Sequence, residues 1–282
     1  MRESSNPVFR SLPKGQQGGY AQFGTGAAGY GAQAVHADPY VTQQYPDQQQ
    51  TGVSRPLTID DVVTKTGITL AVLSAFAVVS YFIATINPGF AMMLAMVGAI
   101  GGLVLVLVAT FGRKQDNPAI VLSYAGLEGL FLGAISYLFA NVISNGGYSM
   151  ITQAVIGTLG VFFGMLVVYK TGAIRVTPKF TRMIVAGMFG VLALMLVNFL
   201  AAIIGGGDGL GLRSGGMLAI GFSLLCIGLA AFSFLIDFDA ADQMIRAGAP
   251  EKAAWGVALG LTVTLVWLYV EILRLLSYFN QD

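Results

Sequence analysis

Charge is what this chain has least of. Its 282 residues carry 15 basic and 14 acidic side chains, 10% of the total, where an average soluble protein has roughly 25%. A soluble fold of this length could not cover its surface with so few, so lipid is the solvent for most of the chain. Cysteine is almost missing. Cys226 stands alone within an apolar run, which excludes a disulfide framework and a thiolate metal site. Histidine is equally scarce: His36 sits in a polar stretch, without the second imidazole that most zinc chemistry needs. No Walker motif, HExxH or histidine-activated nucleophile occurs, nor the YD and GLGD pairing of acid-pair intramembrane proteases, so an enzyme is not expected. The nearly cancelling charges give a net of +1, which points to no nucleic-acid partner. No cofactor is called for. The first 60 residues contain no apolar core of signal-peptide length, so cleavage is not expected.

Hydrophobic residues are plentiful, at 55% with a mean hydropathy of +0.73, and they are not spread evenly. Residues 1–57 are rich in Gly, Gln, Tyr and Ala and have neither a helical nor an alternating period. They read as a disordered cytoplasmic tail in which Tyr20, Tyr30, Tyr40 and Tyr45 are candidate stickers for weak self-association. In RPLTIDDVVTK, from Arg55 to Lys65, Thr58 or Asp60 can cap a helix,. The remainder, 58–282, holds seven apolar segments, at about 66–86, 90–111, 119–143, 152–169, 183–204, 216–237 and 254–276. Each is close to the roughly 20 residues that cross a bilayer as a helix. Pro88, Pro118 and Pro178 fall in the breaks, as do Asn145-Gly146-Gly147 and the run Gly205 to Asp208,. The fold class is an all-α integral membrane protein, a bundle of seven transmembrane helices.

With a cytoplasmic N-terminus, the inner side receives Arg2, Arg10, Lys14, Arg55, Lys65, Arg113, Lys114, Lys170, Arg175, Lys179, Arg182, Arg246 and Lys252. Only Arg213 then falls in an outer loop, while Arg274 lies within the last span. That bias predicts an N-in, C-out topology. Within lipid, helices approach closely where side chains are small. Span three presents Gly126, Gly129 and Gly133, span four Gly157, Gly160 and Gly164, and span seven Gly256 and Gly260. These read as internal helix-packing faces or, alternatively, as homodimer contacts. The oligomeric state stays open.

Once loop charges are set aside, Glu128, Asp237, Asp239, Glu271 and Arg274 remain in or beside the spans. A charge at mid-bilayer costs about 2.5–3.5 kcal/mol even on the gentlest scale, so each is a functional candidate. A carboxyl removed from water resists ionisation, and such a group can change charge state near physiological pH. Each also has a plain reading. Glu128 can be a protonated carboxyl bonded to backbone, Arg274 can snorkel to the headgroups, and Glu271, one turn before it, can be its ion-pair partner. Asp239 and Asp242 can be ordinary charges at the end of a helix that continues to a C-cap at Gly248,. Asp237, directly after an apolar SFLI, is the hardest to dismiss.

Seven spans with SFLIDFDAADQMI at 233–245, WLYVEILRLLSYF at 267–279, SYAGLEGLFLGAIS at 123–136 and SSNPVFRSLP at 4–13 resemble the Bax inhibitor-1/YccA family, in its actinobacterial-type bacterial branch. The resemblance implies a bundle with the last helix central, a bacterial plasma membrane location and a pH-sensitive calcium leak channel. Its gate would be a pair of aspartates in spans six and seven with an arginine after span two. Asp237 and Arg113 match the first aspartate and the arginine. The second aspartate is missing. Laying the family's YLD motif on Tyr269-Val270-Glu271 makes Glu271 the partner, yet residue counting from the hairpin sets it about 15 Å from Asp237 along the bundle axis. Aligning the LLR-type ending on Arg274 puts Thr264 at the partner position instead, with Glu128 near the depth of Asp237. The expectation is a carboxylate cluster of Asp237 with Glu128 or Glu271, calcium being the permeant ion and a possible ligand near Asp237. The competing class is a non-transporting regulator that binds other membrane proteins, such as a quality-control protease.

Overall fold

A computed structural model describes residues 55–144, 147–205, 207 and 209–280. The expectations for the four tail tyrosines and His36, and for the turn residues Asn145, Gly146, Gly206 and Asp208, lie outside these. Among the described residues the chain forms seven helices long and apolar enough to cross a membrane. They are α1 (Ile59–Ile86), α2 (Gly89–Phe111), α3 (Pro118–Tyr137), α4 (Gly147–Thr171), α5 (Pro178–Gly205), α6 (Met217–Arg246) and α7 (Ala253–Phe279). A π-helical segment at Leu138–Ile143 continues α3.

The helix ends follow from local chemistry. Thr58, not Asp60, caps α1: its hydroxyl accepts from the Asp61 amide at 3.3 Å, and the Asp61 carboxylate accepts from the Thr58 amide at 3.0 Å. This reciprocal box satisfies two donors that a helix start leaves unpaired. Asn117 caps α3 through a bond from the Ala119 amide, with Pro118 in the first turn, where its missing N–H is harmless. Gly248 (φ +64°) ends α6 with bonds from its own amide to the Ile245 carbonyl and from Ala249 to Met244, a Schellman arrangement.

The folded part reaches further back than the expected boundary at residue 58. The Leu57 amide donates to the Ala249 carbonyl (2.8 Å) and the Glu251 amide to the Arg55 carbonyl (3.0 Å), while the Leu57 side chain is buried. Arg55 pairs with Asp61 at 2.6 Å and with Glu251 at 3.2 Å, and Lys65 bonds Glu251 at 3.0 Å. The root of the tail is thus tied to the α6–α7 hairpin by backbone bonds and a charge network that the composition of the tail does not suggest.

α7 is the central helix: 72% of its most apolar stretch is buried, against 6% for α5. α1, α3, α4 and α6 all pack on it, whereas α5 packs chiefly on α6. Two of the expected glycines lie where α1 and α3 nearly touch. A Cβ on Gly133 would run into the carbonyl oxygen of Ala77, and one on Gly129 into that of Leu73. Only glycine allows backbones so close. The other expected positions differ. Gly256 would make an ordinary contact with Gln115 at 3.5 Å, and Gly160, Gly164 and Gly260 would meet nothing within 4 Å. Repeating the spacing of α3 on α4 does not repeat its neighbours: Gly157 would meet Ile272 of α7 at 3.5 Å, while nothing lies against Gly160 and Gly164.

Candidate functional site

Two cavities enter the bundle from opposite ends of α7. The first, about 360 Å³, lies beside the α2–α3 loop and the α6–α7 hairpin and is lined by Asp237, Arg113, Asp116, Thr110 and Gly260, among others. Asp237 is half-buried on α6. The Thr264 hydroxyl of α7 donates to its Oδ2 at 2.7 Å, with the Gly260 carbonyl as a longer alternative acceptor at 3.3 Å. A serine or threonine hydroxyl is both donor and acceptor, so Thr264 can serve a charged or a neutral Asp237.

Arg113 reaches this cavity from an unusual backbone. It is the sole described non-glycine residue with a positive φ, 52°. Lys114 donates to the Ala109 carbonyl and Arg113 to that of Thr110, so Arg113 fills the left-handed place of a helix stop that normally takes glycine. That conformation costs a side-chain-bearing residue about 1–2 kcal/mol. Such strain gathers at functional sites. At the rim, Asp116 pairs with Lys252 at 2.7 Å. The Lys252 hydrogen bond, aided by its charge and opposed by desolvation, holds the Asp116 carboxyl below the usual carboxylate range.

The second cavity, about 730 Å³, is lined by Glu128, Glu271, Arg213, Arg274, Tyr124 and Trp267 among mostly apolar side chains. Glu271 is 2% exposed and is the centre of a triad. Arg213 donates to both of its oxygens at 3.0 Å, and Arg274 donates to Oε1 at 2.8 Å. Each guanidinium also faces a ring, Arg213 at 5.2 Å from the centroid of Phe222 and Arg274 at 5.8 Å from Phe139. This is the geometry a buried carboxylate needs, since its charge and lone pairs are matched by bidentate donors. Deeper in the same cavity lies Glu128, and Gly102 of α2 makes the room: a Cβ there would stand 2.5 Å from Glu128 Oε1.

The structure therefore groups the expected residues differently. Asp237 and Arg113 share one cavity, and Glu128, Glu271 and Arg274 share the other. Among the described residues no hydrogen bond joins Asp237 to either glutamate; its side-chain partner is Thr264. Asp239 belongs to the end of α6. It accepts from Gln243 at 2.6 Å and from Tyr169 at 3.4 Å, while Asp242 bonds Tyr169 at 3.3 Å and pairs with Arg246 at 2.7 Å. No three acidic, histidine or cysteine side chains come together among the described residues. One carboxylate offers two of the six to eight oxygens that calcium takes, and Asp116 is the second acid among the residues lining the cavity of Asp237.

Sequence reasoning had placed Arg213 among the loop charges. The available signal was its position as the one basic residue in an outer loop, opposite an acid within the last span. Gly102 carried no signal without knowledge of what faces it.

The cavities nearly meet. On α2, Val106 lines the second and Thr110 the first; on α7, Val263 lines the second and Gly260 the first. Three or four residues of helix rise about 5–6 Å. The partition at that level contains the buried Ala109, Val121, Tyr124 and Leu259, with the Thr264–Asp237 bond beside it.

A family model described as Bax inhibitor 1 like matches residues 6–281, essentially the whole chain. Comparison with curated proteins returns no match.

Proposed function

The chain belongs to the Bax inhibitor 1-like family, and on that premise we propose that it is a gated leak pathway for small cations, with calcium the first ion to test. The observation that carries this reading is the pair of cavities, 360 and 730 Å³, separated by about one helical turn,. The Asp237–Thr264 bond is the closed latch between α6 and α7. Asp237 supplies the charge that attracts a cation once it ionises, and Arg113 and Asp116 line its approach. Protonation of Asp237 removes that charge, which makes the leak pH-sensitive. Glu271 is reserved for its arginines and holds the opposite mouth in shape. Glu128, in the second cavity, is the carboxylate a cation meets on the other side of the partition.

The test is calcium flux into liposomes across pH 5–8 for the wild type, Asp237→Asn and Thr264→Val. A hydrogen bond to a charged group contributes about 1.5–3 kcal/mol. Losing one that exists only in the closed state therefore raises leak by about tenfold or more. Thr264→Val is expected to leak more at every pH, and Asp237→Asn to lose the pH dependence. Flux and pH profile unchanged in both variants refute the proposal.

A further inference from the structure

A third cavity, about 480 Å³, plays no part in that pathway. It opens between α1 and α4, which both lie against α7 and meet each other at Tyr81 and Tyr148. Its floor includes Leu132 and Gly133 of α3 with Leu265, Val266 and Tyr269 of α7. Three of the hydroxyls inside are already engaged with protein. Ser136 donates to the Leu132 carbonyl, Tyr269 lies 2.7 Å from Ser136 Oγ, and Thr158 donates to the Ala154 carbonyl. What remains is an apolar slot with too few free polar partners to hold ordered water.

Its dimensions name an occupant. From Leu70 to Tyr81 along α1 the slot runs eleven residues, about 16 Å, which is half of the roughly 30 Å hydrocarbon core, or one leaflet. The slot holds about 480 Å³ along that length, and its lining is almost wholly apolar. One extended alkyl chain matches both that length and the apolar lining. The rim residues Val78, Phe82, Val155 and Leu159 are exposed, so the slot is continuous with the surface that the bundle presents to lipid. At the end nearest the α1 C-terminus, Tyr81 lies 6.0 Å from Tyr137 and 5.6 Å from Tyr148 between ring centroids, and Asn141 donates to the Tyr81 hydroxyl at 3.2 Å. Tyrosines of this kind mark the headgroup level of a bilayer, and the π-helical segment that carries Asn141 is a feature often found at functional positions.

We propose that this slot binds one acyl chain of a phospholipid from that leaflet, with its headgroup at the tyrosine cluster and its chain against Tyr269 and Val266. Val266 lines both the slot and the cavity of Glu128 and Glu271, so the chain forms the back of a wall whose front faces the proposed pathway. Binding itself does not depend on the leak reading.

The protein is reconstituted into phosphatidylglycerol liposomes containing a phospholipid with a diazirine in mid-chain, irradiated, and mapped by mass spectrometry. Adducts are expected on Leu132, Ser136 and Tyr269, all buried within the bundle. Filling the slot from its rim, by Ser74→Trp or separately by Val155→Trp, is expected to reduce them at least fivefold. Adducts on Phe163 and Leu196, exposed elsewhere, should persist. Labelling of the wild type confined to such exterior residues overturns the proposal. So does interior labelling that survives both substitutions.

Discussion

Removing Arg213 tests whether the second mouth is built as the triad geometry requires. Arg213→Met keeps the bulk of the side chain and takes away two of the three bonds that Glu271 accepts. Breaking one side of a buried ion pair costs about 3–5 kcal/mol. Arg274 stays 2.8 Å from Oε1 and compensates in part, so the lower end applies, about 3 kcal/mol. A protein of 150–250 residues loses about 2–4 °C in Tm per kcal/mol, and the expected fall is about 6–12 °C in detergent. Glu271→Gln should cost a similar amount, because it leaves two guanidinium groups facing each other. The double variant should cost no more than either single one, since each mutation removes the group that the other leaves unpaired. Thermal melts of the four proteins read this directly. A loss below about 1 kcal/mol for Arg213→Met, or full additivity in the double variant, refutes the claim that Glu271 is held as a buried charge.

Other expectations follow from the same structure. Gly133→Ala should destabilise by about 1–3 kcal/mol, because its Cβ meets the Ala77 backbone, whereas Gly164→Ala, with open space around it, should melt like the wild type. Arg113→Gly should raise the melting point by relieving about 1 kcal/mol of backbone strain while altering flux through the cavity it lines. The lowered Asp116 carboxyl contributes its tether to Lys252 fully above the ordinary carboxylate value of about 3.9 and loses it as pH falls through the depressed value. Lys252→Met should therefore leave flux profiles between pH 5 and 8 unchanged; a shift there would mean that this exposed pair, not Asp237, sets the response.

The seven spans were legible because lipid imposes a single rule, that a helix of sufficient apolar length must form, and Thr58 and Gly248 were readable as caps for equally local reasons. The centrality of α7 entered through family resemblance. Neighbours across helices were harder to read. Asp237 stood out by its cost in the membrane, yet the Thr264 contact depends on the relative rotation of α6 and α7, which residue counting fixes only in depth. Thr264 had entered as one of two alignments, and a hydroxyl carries none of the desolvation cost that draws attention to a carboxylate. Gly160 and Gly164 meet no neighbour within the chain. A small-residue spacing specifies a possible face but not whether another helix lies against it.

The order in which these helices are made adds a consequence to the burial of α7. A ribosome delivers α1 to α6 before the helix around which α1, α3, α4 and α6 assemble, so for that interval the bundle has a ring without its axle. Asp237 has no Thr264 during this time, and Glu271, which Arg213 needs, has yet to emerge. Residue 253 onward therefore acts as the closing piece of biogenesis, and chains that stop before it should be recognised and cleared as unfinished.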